Sequence, residues 1–125
     1  MLLNTGYFRK WQDLPAGSAY MDGKWSGFSP EAVEWLSRER GVEILGTDAA
    51  TIDTAGSEAG TDVHSNACSL GMRIVEGLNY AELERRDLPE PWRFGLLCFP
   101  LRLVGGSGSP VRAVAAIGRS GKLGG

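Results

Sequence analysis

His64 is the only histidine of the chain, and Glu76 follows it by twelve residues in the stretch Asp62-Val-His-Ser-Asn-Ala-Cys-Ser-Leu-Gly-Met-Arg-Ile-Val-Glu76. A neutral imidazole and a carboxylate are both competent ligands for a borderline divalent cation. Gly71, between them, predicts a helical turn that reverses into a strand. Two ligands do not hold a catalytic ion, so the others have to come from elsewhere, and no second histidine exists to supply one. Asp48 and Asp53 stand in a Gly-Thr-Asp-x-x-Thr-x-Asp run whose ordinary use is turn and cap chemistry. Cys68 and Cys98, thirty residues apart, form no C-x-x-C pair and have no histidine at zinc-finger spacing. That spacing argues against a disulfide framework, and Cys68 reads as a buried free thiol in preference to a nucleophile. Gly105 to Ser109 lacks the Lys-Ser/Thr ending of a phosphate-binding loop and leads into a strand, so it reads as a hairpin turn. No G-x-S-x-G elbow is present.

These side chains need a scaffold, and the order of elements supplies one. Leu2-Leu3 reads as the end of a strand that runs into a Gly-marked turn and an aromatic loop reaching Trp11. Residues 11–28 read as a long loop anchored by Tyr20 and Trp25. Ser29-Pro30-Glu31 is a helix start with a serine cap, proline at the first position and an acid in the first turn. Gly41 ends that helix, and Ala32, Val33, Trp35 and Leu36 form its buried stripe. Val42 to Gly46 is a short apolar strand, so strand, helix, strand predicts a right-handed βαβ unit with parallel pairing. The loop after it, residues 47–62, then lies at the carboxyl edge of the sheet, where open α/β folds bind ligands. Further on, residues 63–70 predict a short helix, 73–76 a short strand, and 80–86 a small helix ending before Pro89. Residues 93–99, 101–104 and 111–117 predict strands, with Leu101, Leu103, Val111 and Val114 covered on one face.

At 125 residues the chain fits one domain, residues 1–117, followed by a tail, 118–125, without periodicity. Thirteen Lys and Arg stand against fifteen Asp and Glu, scattered along the chain, which excludes a phosphate-backbone partner. No apolar run approaches the roughly 20 residues of a membrane helix, and the start has no signal-peptide pattern. The chain reads as soluble and cytoplasmic.

In order, Leu2-Leu3-Asn4-Thr5-Gly6 with Trp11, Ser29-Pro30-Glu31-Ala32 with Trp35-Leu36, and Gly41-Val42 precede Gly46-Thr47-Asp48 and Ile52-Asp53; Val63-His64, Ile74-Val75-Glu76, Pro100-Leu101 and Gly108-Ser109-Pro110-Val111-Arg112 follow. This series resembles the carboxyl-terminal half of the metal-dependent cyclase family that includes bacterial kynurenine formamidases and isatin hydrolases. The resemblance covers Leu2 to Ile117. It implies a partial α/β fold of the swivelling β/β/α type, a mixed sheet with the βαβ unit and a carboxyl-terminal hairpin. It also implies a hydrolase that opens amide, formamide or lactam-type bonds of a small aromatic substrate with zinc or manganese, in tryptophan catabolism. His64 and Glu76 then match metal ligands, and Asp48 and Asp53 frame the loop beside them.

The family's His-x-Gly-Thr-His-x-Asp motif has no counterpart in this sequence. No catalytic acid or base is therefore assigned, and the chain is expected to be a fragment or split subunit, binding metal weakly and inactive alone. Exposed strand edges predict a homo-oligomer or a companion chain. The competing expectation is a non-catalytic pseudoenzyme or assembly subunit that keeps the fold.

Overall fold

The computed structural model describes residues 1–11, 20–55, 62–88 and 91–118. Expectations that concern residues 12–19, 56–61 and the tail from 119 onward lie outside the described residues. The first helix, α1 (Pro30–Arg38), begins where its capping chemistry stands: the Ser29 backbone is extended and its hydroxyl accepts the Ala32 N–H at 3.2 Å. Gly41, at a φ of +62°, closes the other end. There the Gly41 N–H reaches Ser37 O at 3.1 Å and the Val42 N–H reaches Leu36 O at 3.0 Å, satisfying carbonyls the helix leaves open. Val33 is fully buried, but Trp35 is 49% exposed and lies under the Arg40 guanidinium, 4.7 Å from its ring centroid. Of the expected stripe Val33 is buried, Leu36 packs half-buried on the core, Ala32 is half-buried, and Trp35 faces outward beneath Arg40, which follows the helix.

Strand β1 (Leu2–Leu3) pairs parallel with β2 (Ile44–Thr47), with Leu2 opposite Gly46. The βαβ expectation is met by β1, α1 and β2. On its other side β2 pairs parallel with β3 (Arg73–Val75), giving the order β1-β2-β3. Helix α2 (Asp62–Ser69) makes the second crossing and packs against α1 and β3. Three of the four residues of β2 are buried, as a central parallel strand requires. Phe28, Val33, Leu45, Ile52, Val63, Ala67 and Met72 close the core between this sheet and the helices.

The segment after β1 is ordered by one buried carboxylate. Asp48, fully buried directly after β2, accepts the Thr5 N–H at 2.8 Å, the Thr5 hydroxyl at 2.9 Å and the Phe8 N–H at 3.1 Å. That anchors the start of a 3-10 helix, Tyr7–Trp11, where the sequence predicts an irregular loop. The Tyr20 hydroxyl donates to the Asp48 carbonyl at 2.8 Å, and Tyr20 and Trp25 both pack on Tyr7, so the two anchors assigned to the long loop serve as anchors. Beside them Asp22 accepts from Tyr7 and from Lys10, the latter at 2.9 Å.

The chain divides after Glu82 into two compact units. The division falls inside the short helix α3 (Ala81–Glu84). The second unit, described by itself, is built on an antiparallel hairpin of β4 (Gly95–Pro100) and β5 (Val111–Ala116). Residues 101–104 are not strand: after one more bond to Pro110 O, the Leu103 N–H turns back onto Leu101 O at 3.1 Å, a tight three-residue turn. Leu101 and Leu103 are exposed, and Val111 and Val114, an odd number of residues apart, point to opposite faces. Coverage on one shared face is therefore corrected. Cys68, expected buried, is exposed on α2, since it lies off the stripe formed by Val63 and Ala67. No helix among the described residues is long and apolar enough to cross a membrane.

Replacing Asp48 by Asn keeps the shape but turns an NH2 toward backbone donors. Urea denaturation of Asp48→Asn is expected to show a loss of about 2–3 kcal/mol. Hydrogen bonds from Tyr7 and then Lys10 hold the Asp22 carboxyl down to about 2, from 3.8. The stability it contributes is present above pH 3.8 and disappears as pH falls through about 2. A pH series of melting temperatures should lose that component in Asp22→Asn.

Candidate metal centre

Parallel pairing delivers Thr47 and Val75, the last residues of β2 and β3, to the same edge of the sheet. The loop carrying Ile52 and Asp53 leaves one strand there, and Glu76 leaves the other. His64, in the first turn of α2, comes over the same edge. Its Nδ1 contacts Asp53 Oδ2, and its Nε2 lies 3.2 Å from Glu76 Oε1. The two residues singled out by type and spacing are thus brought together, and Asp53, expected only to frame the loop, touches the histidine directly.

Asp53 is 3% exposed and is fixed further by the Thr51 hydroxyl, which donates to Oδ2 at 3.1 Å. Glu76 is fixed by the Ile52 N–H, which donates to Oε1 at 2.9 Å. Both carboxylates are therefore set by adjacent residues of one loop. The His64 and Glu76 side chains retain 34% and 31% exposure, enough for a small ligand to reach them.

When Nδ1–H donates to Asp53 and Nε2 carries no proton, the Nε2 lone pair faces an oxygen that also carries only lone pairs. Two acceptors at that distance are stable only with a cation shared between them, a proton or a metal ion. Two donors on one ion, each at about 2.0–2.1 Å and about 90–110° apart, are separated by about 2.9–3.4 Å. The observed 3.2 Å falls within that interval. A carboxylate on the far ring nitrogen is also the usual support of a metal-bound histidine, since it fixes the tautomer and raises ligand basicity. Two carboxylates around one neutral imidazole leave an excess of negative charge that a divalent ion neutralises. The residues present fit two positions of a cation's shell; no group of three or more His, Cys, Asp or Glu able to hold a metal occurs among the described residues.

Asp48 lies outside this pair, its carboxylate consumed by Thr5 and Phe8. Burial, followed by the charge of Asp48, pushes the Tyr20 hydroxyl up to about 12, so it remains a donor to the Asp48 carbonyl across the neutral range. Sequence reasoning missed the Ile52 N–H and the contact of Gly27 and Phe28 behind it. A backbone amide carries no mark of its partner in a sequence, and a lone glycine in a loop carries little more.

The Cyclase family profile matches residues 1–54. The kynurenine formamidase of Sphingopyxis alaskensis is 40% identical over 94 residues, covering 73% of this chain and 42% of that protein. The kynurenine formamidase of Erythrobacter litoralis is 36% identical over 107 residues, covering 86% and 45%. A solved structure, described as a potential metal-dependent hydrolase with cyclase activity, superposes with a TM-score of 0.56 at 25% identity, over 73% of this chain and 41% of that one. The chain thus spans less than half the length of the relatives it matches.

Replacing Asp53 by Ala leaves the Thr51 hydroxyl and the His64 Nδ1–H without their shared acceptor. Chemical denaturation of Asp53→Ala should show a loss of about 1–3 kcal/mol.

Proposed function

We propose that this chain, which belongs to the cyclase family, supplies two ligands of a divalent-cation site in a hydrolase of amide or formamide bonds. The carrying observation is the 3.2 Å approach of His64 Nε2 to Glu76 Oε1, with Nδ1 held by Asp53. His64 and Glu76 ligate, Asp53 orients the ring, and the Ile52 N–H fixes the carboxylate. When bound, a divalent cation supplies Lewis-acid polarisation of a carbonyl. The chain's own residues bind and orient: Glu76 Oε1 is kept from rotating away by Ile52, and the His64 ring is kept edge-on to the site by Asp53. A mixed nitrogen and oxygen donor set suits zinc and also manganese.

A catalytic ion takes about three protein ligands and an open position, so the set needs donors beyond this pair. We assign them to residues outside this sequence, on a longer form of the chain, a second copy or a companion chain. Support for a protein partner comes from the β4–β5 hairpin, where Leu97, Phe99 and Val114 stand exposed on one face together with Arg112. The name of the relatives, kynurenine formamidase, makes an N-formylated aromatic amine of tryptophan catabolism the first substrate to test, in a cytoplasmic setting.

Calorimetric titration of the full chain with zinc and with manganese should show one weak site per chain, lost in His64→Ala and in Glu76→Ala. Formamidase activity should be absent from the chain alone and appear with the complementing partner. Unchanged zinc binding in both variants would overturn the ligand assignment, and activity of the chain alone would overturn the need for a partner. A non-catalytic assembly role would show as a stable complex, loaded with metal, that remains inactive.

A further inference from the structure

The cation pair depends on Ile52 and Asp53, and these in turn depend on a segment that carries no chemistry of its own. The Ile52 N–H sets Glu76, and the Asp53 carboxylate sets His64, so a single stretch of backbone determines where both ligands stand. That stretch lies against residues 25–28. The Phe28 N–H donates to Ile52 O at 2.8 Å, the Trp25 indole N–H to Asp53 O at 3.0 Å, and the Ala55 N–H to Trp25 O at 3.3 Å. The three bonds bracket Asp53 on both sides.

Gly27 lies in the middle of this contact. A Cβ built there would fall 2.3 Å from the Asp53 carbonyl carbon, 2.4 Å from Ile52 O and 2.5 Å from the Thr54 nitrogen. All three are backbone atoms, which cannot swing aside as a side-chain tip does. Gly46 makes the contrast, since its nearest neighbour at 2.5 Å is the end of the Leu2 side chain. Gly27 is not among the residues with positive φ, so its conformation would accept alanine; space alone forbids it.

We propose that Gly27 and Trp25 are positioning residues for the His64–Glu76 pair: glycine lets residues 25–28 lie directly on the Ile52–Asp53 backbone, and the indole N–H fixes its outer end. Ligand sets work within about half an ångström, and a Cβ at position 27 would push the shared backbone by more than that. Both ligands would lose their orientation together, because Glu76 is hydrogen-bonded to the Ile52 N–H and His64 to the Asp53 carboxylate. The assignment of zinc affinity to this clamp rests on the ligand reading above; its effect on the histidine does not.

Since His64 is the only histidine, its ring signals in a nitrogen-15 spectrum of the full chain are unique. The Nδ1–H donated to nearly buried Asp53 should give a slowly exchanging, downfield ring proton. Gly27→Ala and Trp25→Phe are compared with the wild type, with Gly108→Ala, where the added methyl meets open space, as control. Expected are dispersed amide spectra in every variant and loss of the ring proton signal in the two clamp variants. Zinc binding measured by calorimetry should weaken roughly 10–100-fold in both, as for other groups that orient ligands. Should Gly27→Ala fail to fold, Trp25→Phe decides. A ring proton signal retained in folded clamp variants would overturn the proposal, whatever zinc does. Absence of zinc binding by the wild type would overturn the ligand reading, while the ring signal still tests the clamp.

Discussion

Parallel pairing of β2 with both of its neighbours makes three segments leave the sheet in one direction, and the meeting of His64, Asp53 and Glu76 follows from it. The turn after β1, the Asp48 to Ala55 loop after β2 and Glu76 after β3 converge at one edge. An antiparallel arrangement would have sent one of them to the opposite end. The strands themselves are short, two to four residues each.

Two buried carboxylates divide the work at the edge. Asp48, fully buried, is saturated by donors from Thr5 and Phe8 and ties the segment after β1 to β2. Asp53, nearly as buried, gives one oxygen to Thr51 and to the His64 ring. Burying a carboxylate is costly unless hydrogen bonds replace its lost hydration, so each enforces the local geometry around it. In one case that geometry is structural, in the other it orients a ligand.

The hairpin of the second unit obeys a different constraint. Its cross-strand pairs place apolar side chains on both faces, with Leu97 opposite Val114 on one of them. Phe99 and Leu97 remain exposed. A two-stranded ribbon is marginal in water without packing on a face, and this one offers two. The groups that meet His64, Asp53 and Glu76, belong to the first unit.

Local rules made a large part of this protein legible before any coordinates. Ser29, Pro30 and Gly41 bracket α1 because capping depends on residues within one turn, and the apolar strand after Gly41 implied parallel pairing because a helical crossover permits little else. His64 and Glu76 were recognisable by type. Where local chemistry competes with packing, the reading failed: Trp35 found Arg40 in place of the core, Cys68 faced water, and residues 101–104 turned out of the ladder. What required the folded chain was the distance between groups remote in sequence: Asp53 against His64, the Ile52 amide on Glu76, and Gly27 against the backbone of residues 52–54. Composition and spacing specify which groups a chain owns and how each turn begins and ends, whereas the approach of one backbone to another is set by the sum of the packing between them.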